Sequence, residues 1–274
     1  MPPPDPAPDA VPPLRVGVFD SGVGGLSVLK DLREVLPGAQ LLYVADSAWA
    51  PYGERSEAEI LMRSEAISRF LRFQQVDVLV VACNTATAAA VHHLRAIWPD
   101  WPIVGVEPGL KPAAAATRNG RIGVLATEAT LRSGKFQKLM ADHGQDLQLT
   151  LQACPGLAAA IEAGDLDAPA VLELVERYCA PLRTQGVDTV VLGCTHYPFV
   201  VHHIAHALGP QVRIIDTSRA VAQRALALSE PFLAIRTATP DGPARLWTTS
   251  EAAMLQAIAT RWLPFPAQVR ALDA

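Results

Sequence analysis

The sequence predicts an α/β fold: two pseudo-symmetric α/β domains, each with a mostly parallel sheet flanked by helices, and an active site in the cleft between them. Two observations carry this expectation. Short runs rich in Val, Leu and Ile alternate with longer amphipathic or Ala-rich segments, the pattern of βα units around a sheet covered on both faces. The two halves also resemble each other. Gln74-Gln75-Val76-Asp77-Val78-Leu79-Val80-Val81-Ala82-Cys83-Asn84-Thr85 corresponds to Gln185-Gly186-Val187-Asp188-Thr189-Val190-Val191-Leu192-Gly193-Cys194-Thr195-His196, with Asp77 on Asp188 and Cys83 on Cys194.

In chain order, residues 1–13 are dominated by prolines, which join neither helices nor central strands, and read as a disordered extended tail. Strands are expected at 15–19, 40–45, 76–82 and 102–106, then at 121–126, 148–152, 187–193 and 211–215. Arg15-Val16-Gly17-Val18-Phe19 matches Arg121-Ile122-Gly123-Val124-Leu125, and Val91-His92-His93-Leu94 matches Val201-His202-His203-Ile204. A helix is expected from Ser218 to about Ser229, followed by a Pro- and Thr-rich connection, a short Leu246-Trp247-Thr248-Thr249 run and a last helix over 250–262. The expected division is 14–107 plus 217–274 as the first domain and 108–216 as the second.

Composition narrows the function. A net charge of -4 and a pI near 6.0 give no general attraction to nucleic acid or anionic membrane, and no apolar stretch is long enough to span a bilayer. The N-terminus has neither the basic nor the apolar region of a secretory signal, so a cytoplasmic protein with reduced thiols is expected. Its four cysteines form no Cys-x-x-Cys pair. A small-molecule ligand is the expected partner. Apolar helix faces are compatible with either a core or a homodimer.

In open α/β sheets ligands bind beyond the carboxyl ends of the strands, and Asp20, Cys83, Thr127 and Cys194 all fall there. A lone cysteine is usually a buried apolar residue, but strand-end cysteines repeated in both halves point to paired thiol chemistry. Cys154 and Cys179 keep the structural reading. Ionising a thiol at pH 7 costs about 2 kcal/mol from a reference pKa near 8.5, so a reactive thiol needs help. Asp20, beside Cys83 on an adjacent strand, and His196, two residues after Cys194, are the candidates; Asp20 reads equally well as a helix cap. Ser21, Asn84, Thr85, Thr127, Thr130 and Thr195 supply donors at the same edge, and Tyr52-Gly53 after Ala50-Pro51 forms a turn that could cover the cleft. His202-His203-x-x-His206 has metal-ligand spacing, but a solvated helix face is the preferred reading, and no metal is expected.

These residues resemble one family. Phe19-Asp20-Ser21-Gly22-Val23-Gly24-Gly25-Leu26, Pro51-Tyr52-Gly53, Ala82-Cys83-Asn84-Thr85-Ala86, Gly193-Cys194-Thr195-His196-Tyr197-Pro198 and Trp247-Thr248-Thr249 are similar to motifs of the bacterial glutamate racemases, in the cofactor-independent aspartate/glutamate racemase family. The resemblance runs from Val16 to about Leu263. It implies Cys83 and Cys194 as the acid/base pair, Asp20 and His196 as their supports, and Glu162, in Cys154-Pro155-Gly156-Leu157-Ala158-Ala159-Ala160-Ile161-Glu162, as an additional catalytic acid group. It further implies substrate contacts from Asp20, Ser21, Pro51, Tyr52, Gly53, Asn84, Thr85, Thr127, Thr130, Thr195 and His196, no cofactor, glutamate as substrate, and D-glutamate supplied to peptidoglycan synthesis. Two departures stand out: Ala126-Thr127 where the family often has Gly-Thr, and an Ala-rich stretch from Gly156 to Ala160.

Overall fold

The computed structural model describes residues 12–144, 146–236 and 242–272, so the tail expected over 1–13 lies outside the described residues as far as residue 11. Its strands are β1 (Arg15–Asp20), β2 (Gln40–Ala45), β3 (Val78–Val81), β4 (Ile103–Gly105), β5 (Arg121–Ala126), β6 (Gln148–Ala153), β7 (Thr189–Gly193), β8 (Arg213–Ile215), β9 (Ala244–Thr248) and β10 (Ala267–Ala271). The helices of the first half are α1 (Leu26–Val35), α2 (Glu57–Phe73), α3 (Asn84–Ile97), α4 (Leu110–Ala116), α5 (Glu128–Arg132) and α6 (Gly134–His143). Then follow α7 (Leu157–Glu162), α8 (Pro169–Thr184), α9 (Val201–Leu208), α10 (Ser218–Leu233) and α11 (Ala252–Trp262).

The strands form two wholly parallel sheets, ordered β10-β9-β2-β1-β3-β4 and β6-β5-β7-β8. Remove β9 and β10, and the two orders superimpose strand for strand. The internal correspondence read from the sequence is therefore a correspondence of topology. Asp77 and Asp188 do the same job in each lobe: their backbone N–H groups donate to Arg15 and Arg121 at the start of β1 and β5. Their carboxylates accept from nearby backbone amides, Arg15 in one lobe and Arg118 and Asn119 in the other.

Alternation along each strand separates the cores. Val16 and Val18 of β1 face one layer with Val78 and Val80, while Phe19, Leu79 and Val81 face the other. In the second lobe Ile122 and Val124 face one layer and Leu125 the opposite one. Each such fully buried side chain contributes about 1.5–3 kcal/mol.

The C-terminal segment returns to the first sheet, β9 pairing with β2 and β10 with β9. Sequence reasoning missed β10. It is an edge strand with little burial, preceded by two prolines, so it lacks the apolar run that marks a central strand. The helix expected to start at 250 begins at Ala252, and the one expected to end near Ser229 continues to Leu233 through Pro231. Helix α11 also reaches the second lobe, where Trp262 stacks on Phe199 at 4.0 Å and Arg261 donates to the Gly164 carbonyl.

The chain enters β3 and β7 through matching left-handed residues, Gln75 at φ +58° and Gly186 at φ +66°. Here the second lobe has the relaxed choice. Replacing Gly186 with Ala should lower stability by about 1 kcal/mol in chemical denaturation. No measurable loss would contradict the left-handed assignment.

Candidate active site

Both sheets end in polar residues at their C-terminal edges. Asp20 is fully buried where β1 ends, and its Oδ1 accepts from the Ser21 hydroxyl at 2.9 Å and the Gly22 amide at 3.2 Å. It does not cap α1, whose N-cap position is Gly25 with no side-chain cap. The other oxygen leaves the lobe: Asp20 Oδ2 accepts from Thr195 Oγ1 at 2.7 Å. Burial raises the Asp20 pKa, opposed chiefly by His196 and the hydroxyls of Thr195 and Ser21.

Cys83 occupies the N-cap of α3, where its sulfur accepts from the Ala86 amide at 3.4 Å and contacts Ser21 Oγ at 3.9 Å. Burial pushes the thiol well above its ordinary value, and the charges of Asp20 and Cys194 push the same way against the Ala86 amide and Ser21 hydroxyl. Cys83 is thus held as the neutral thiol.

Cys194 is surrounded differently. Its sulfur lies 3.5 Å from His196 Nδ1, and His196 Nε2 lies 2.5 Å from Glu162 Oε1 at the end of α7. Burial alone would lower the His196 pKa; Cys194 and then Glu162 outweigh it, so the imidazole is held well above its ordinary value and stays protonated near neutrality. Glu162 Oε1 also accepts from the Val23 amide of the first lobe at 2.7 Å. Two glycines make this approach possible: a methyl group at Gly22 would overlap the Glu162 carboxylate, and one at Gly24 would overlap the His196 ring.

The remaining expected residues divide. Thr85 of α3 meets Thr127 Oγ1 at 3.0 Å and Thr130 Oγ1 at 3.4 Å across the cleft, and Thr127 caps α5. Asn84 is buried, and its amide nitrogen has no hydrogen-bond partner among the described residues. Gly53 packs against Thr127. Tyr52 is buried beside Cys83, but its hydroxyl turns away and donates to Asp46 Oδ2 at 2.6 Å. Pro51 lies further out, with Glu162, Val23, Thr248 and Met254 around a cavity of about 300 Å³. Cys154 and Cys179 are buried free thiols; burial raises both, Cys179 to about 12.

A family model, Asp/Glu/Hydantoin racemase, matches residues 21–225. The chain belongs to this racemase family. It is 50% identical over 246 residues to a glutamate racemase from Pseudomonas entomophila, covering 89% of this chain and 91% of that one. Among solved structures, it resembles a glutamate racemase from Bacillus anthracis with a TM-score of 0.85 and 32% identity, over 95% of this chain and 97% of that one. The Escherichia coli glutamate racemase solved with L-glutamate and the activator UDP-MurNAc-ala also gives 0.85, at 33% identity over 95% and 98%. Among the described residues, no helix is long and apolar enough to cross a membrane.

Within this racemase architecture, several residues at the site escaped sequence reasoning. Ser27 Oγ donates to the Thr195 carbonyl, and Tyr43 OH donates to the Gly22 carbonyl. Asp46, at the end of β2, is fully buried; it takes two hydrogen bonds from Arg63 and one each from Tyr52 and Thr249. The strand-end rule that marked Asp20 would have marked Asp46 as well. This ion pair anchors the Pro51-Tyr52-Gly53 turn to the sheet. Replacing Arg63 with Met leaves the carboxylate buried without its cation, and should cost about 3–5 kcal/mol in chemical denaturation. A loss under about 1 kcal/mol would show that the pair is not the anchor.

Proposed function

We propose that the protein interconverts L- and D-glutamate by moving a proton at Cα between two thiols, in the cytosol, and that the D-glutamate formed supplies peptidoglycan synthesis. One observation carries the reading: two buried sulfurs end equivalent strands of two matching sheets, and their surroundings differ. Cys83 is held as a thiol by burial, and Cys194 stands beside a protonated His196. That pairing is poised for the L enantiomer.

In that direction a Cys194 thiolate takes the Cα proton and becomes the thiol. The Cys83 thiol gives its proton to the opposite face, leaving a Cys83 thiolate and D-glutamate. The reverse reaction restores the first state, so neither base swings around the substrate. His196, steadied by Glu162, stabilises the Cys194 thiolate, while Ser21 and the Ala86 amide hold the Cys83 sulfur. The Asn84 amide and the hydroxyls of Thr85, Thr127 and Thr195 are donors for the two carboxylates. Asp20 and Glu162 give the cleft the negative charge that suits the α-ammonium group. With both thiols under 10% exposed, the lobes close around the substrate and exclude water: Cys83 is 6% and Cys194 8% accessible. The family resemblance supports chemistry without a cofactor.

Circular dichroism on L-glutamate with no added cofactor tests the activity, and L-aspartate under the same conditions tests the choice of side chain. Cys83→Ala and Cys194→Ala should each lower racemisation by at least about 100-fold. In D2O, any residual exchange at Cα should be confined to L-glutamate in Cys83→Ala and to D-glutamate in Cys194→Ala. Full racemisation by either variant, or the opposite enantiomer pattern, would contradict the assignment.

A further inference from the structure

We propose that the second lobe carries a surface site for a divalent transition-metal cation of the zinc class, built from Asp167, His202 and His203. Sequence spacing draws attention to His202 and His206, one turn apart on α9. The fold selects a different set. His203 Nε2 lies 3.0 Å from Asp167 Oδ1 and His202 Nε2 lies 3.9 Å from the same oxygen, with all three ligand atoms within 4.8 Å of one another. The two rings stand 3.8 Å apart between centroids, at an interplanar angle of 46°.

Comparison with the first lobe isolates what is special here. Its equivalent histidine, His93, also faces a carboxylate, Glu65, at 3.2 Å. That carboxylate is already occupied by the Arg69 guanidinium through two hydrogen bonds. Asp167 has no such cation: among the described residues only the two imidazoles pair with it. The Asp167 amide donates to Asp165 Oδ1, which fixes the turn that presents the carboxylate. The second lobe thus gathers two imidazole nitrogens and one carboxylate oxygen where the first closes an ordinary ion pair.

Two imidazoles and a carboxylate suit Zn²⁺ and its neighbours rather than Mg²⁺ or Ca²⁺, which take oxygen. Bonds of about 2.0–2.1 Å to three ligands put those ligands a little over 3 Å apart, and exposed side chains can make that adjustment. Water completes the coordination sphere. A bound ion would join the start of α9 to the turn between α7 and α8. Those segments lead directly from His196 and Glu162, so the ion would brace the two elements that hold the Cys194 partner.

Co²⁺, the spectroscopic substitute for zinc, tests the site in the full-length protein. One equivalent should bind and give visible d–d bands without the near-ultraviolet sulfur-to-cobalt band, and Zn²⁺ should displace it and raise the melting temperature. Asp167→Asn and His203→Ala should each weaken binding by at least about tenfold. His206→Ala should bind as the unaltered protein does, and all three variants should retain racemase activity. Absence of binding, a sulfur-to-cobalt band, unchanged affinity in Asp167→Asn, or an equal loss in His206→Ala would overturn the proposal.

Discussion

Two carboxylates hold the site together by reaching across the cleft in opposite directions. Asp20 extends from the first sheet to Thr195 of the second lobe, and Glu162 extends from the second lobe to the Val23 amide of the first. Each is also tied to the groups around one sulfur, Asp20 through Ser21 to Cys83 and Glu162 through His196 to Cys194. Closing the lobes and assembling the chemistry are therefore one event. Partial opening would take the Val23 amide from Glu162 and the Thr195 hydroxyl from Asp20. The cost of burying Asp20 and Glu162 is offset by hydrogen bonds within each lobe and by one that each makes across the cleft.

Topological repetition puts both sulfurs in place, and a local difference makes them unequal. After Cys83 the chain enters α3 at once, so the thiol serves as helix cap and meets the Ala86 amide. After Cys194 a short 3₁₀ turn, Tyr197–Val200, containing Pro198, delays α9 until Val201. That delay lets His196 fold back onto the sulfur. One lobe thereby holds a neutral thiol beside a backbone amide and the other a sulfur beside an imidazolium, although both come from the same strand position.

Much of this was legible in the sequence. Eight strands announced themselves as apolar or alternating runs, and the aligned cysteines located the C-terminal edges. The family resemblance added Glu162, which no spacing rule reaches, because its partner His196 is brought near only by the packing of α7 on the second core. Less visible were groups acting through others. Arg63 looks like any helical arginine until Asp46 is found beside it, and the Tyr52 hydroxyl turns toward that pair. Edge strand β10 lacked the burial that writes a pattern into a sequence.

The account stands on proton delivery from two opposite faces by two separate sulfurs. The most direct measurement follows the first turnovers of the unaltered protein on L-glutamate in D2O, reading the isotope at Cα of both enantiomers by mass spectrometry or NMR. Two thiols predict that newly formed D-glutamate carries deuterium while the unconverted L-glutamate keeps its protium. D-glutamate that retains the original protium would mean that one base carries the same proton across, and would contradict the account.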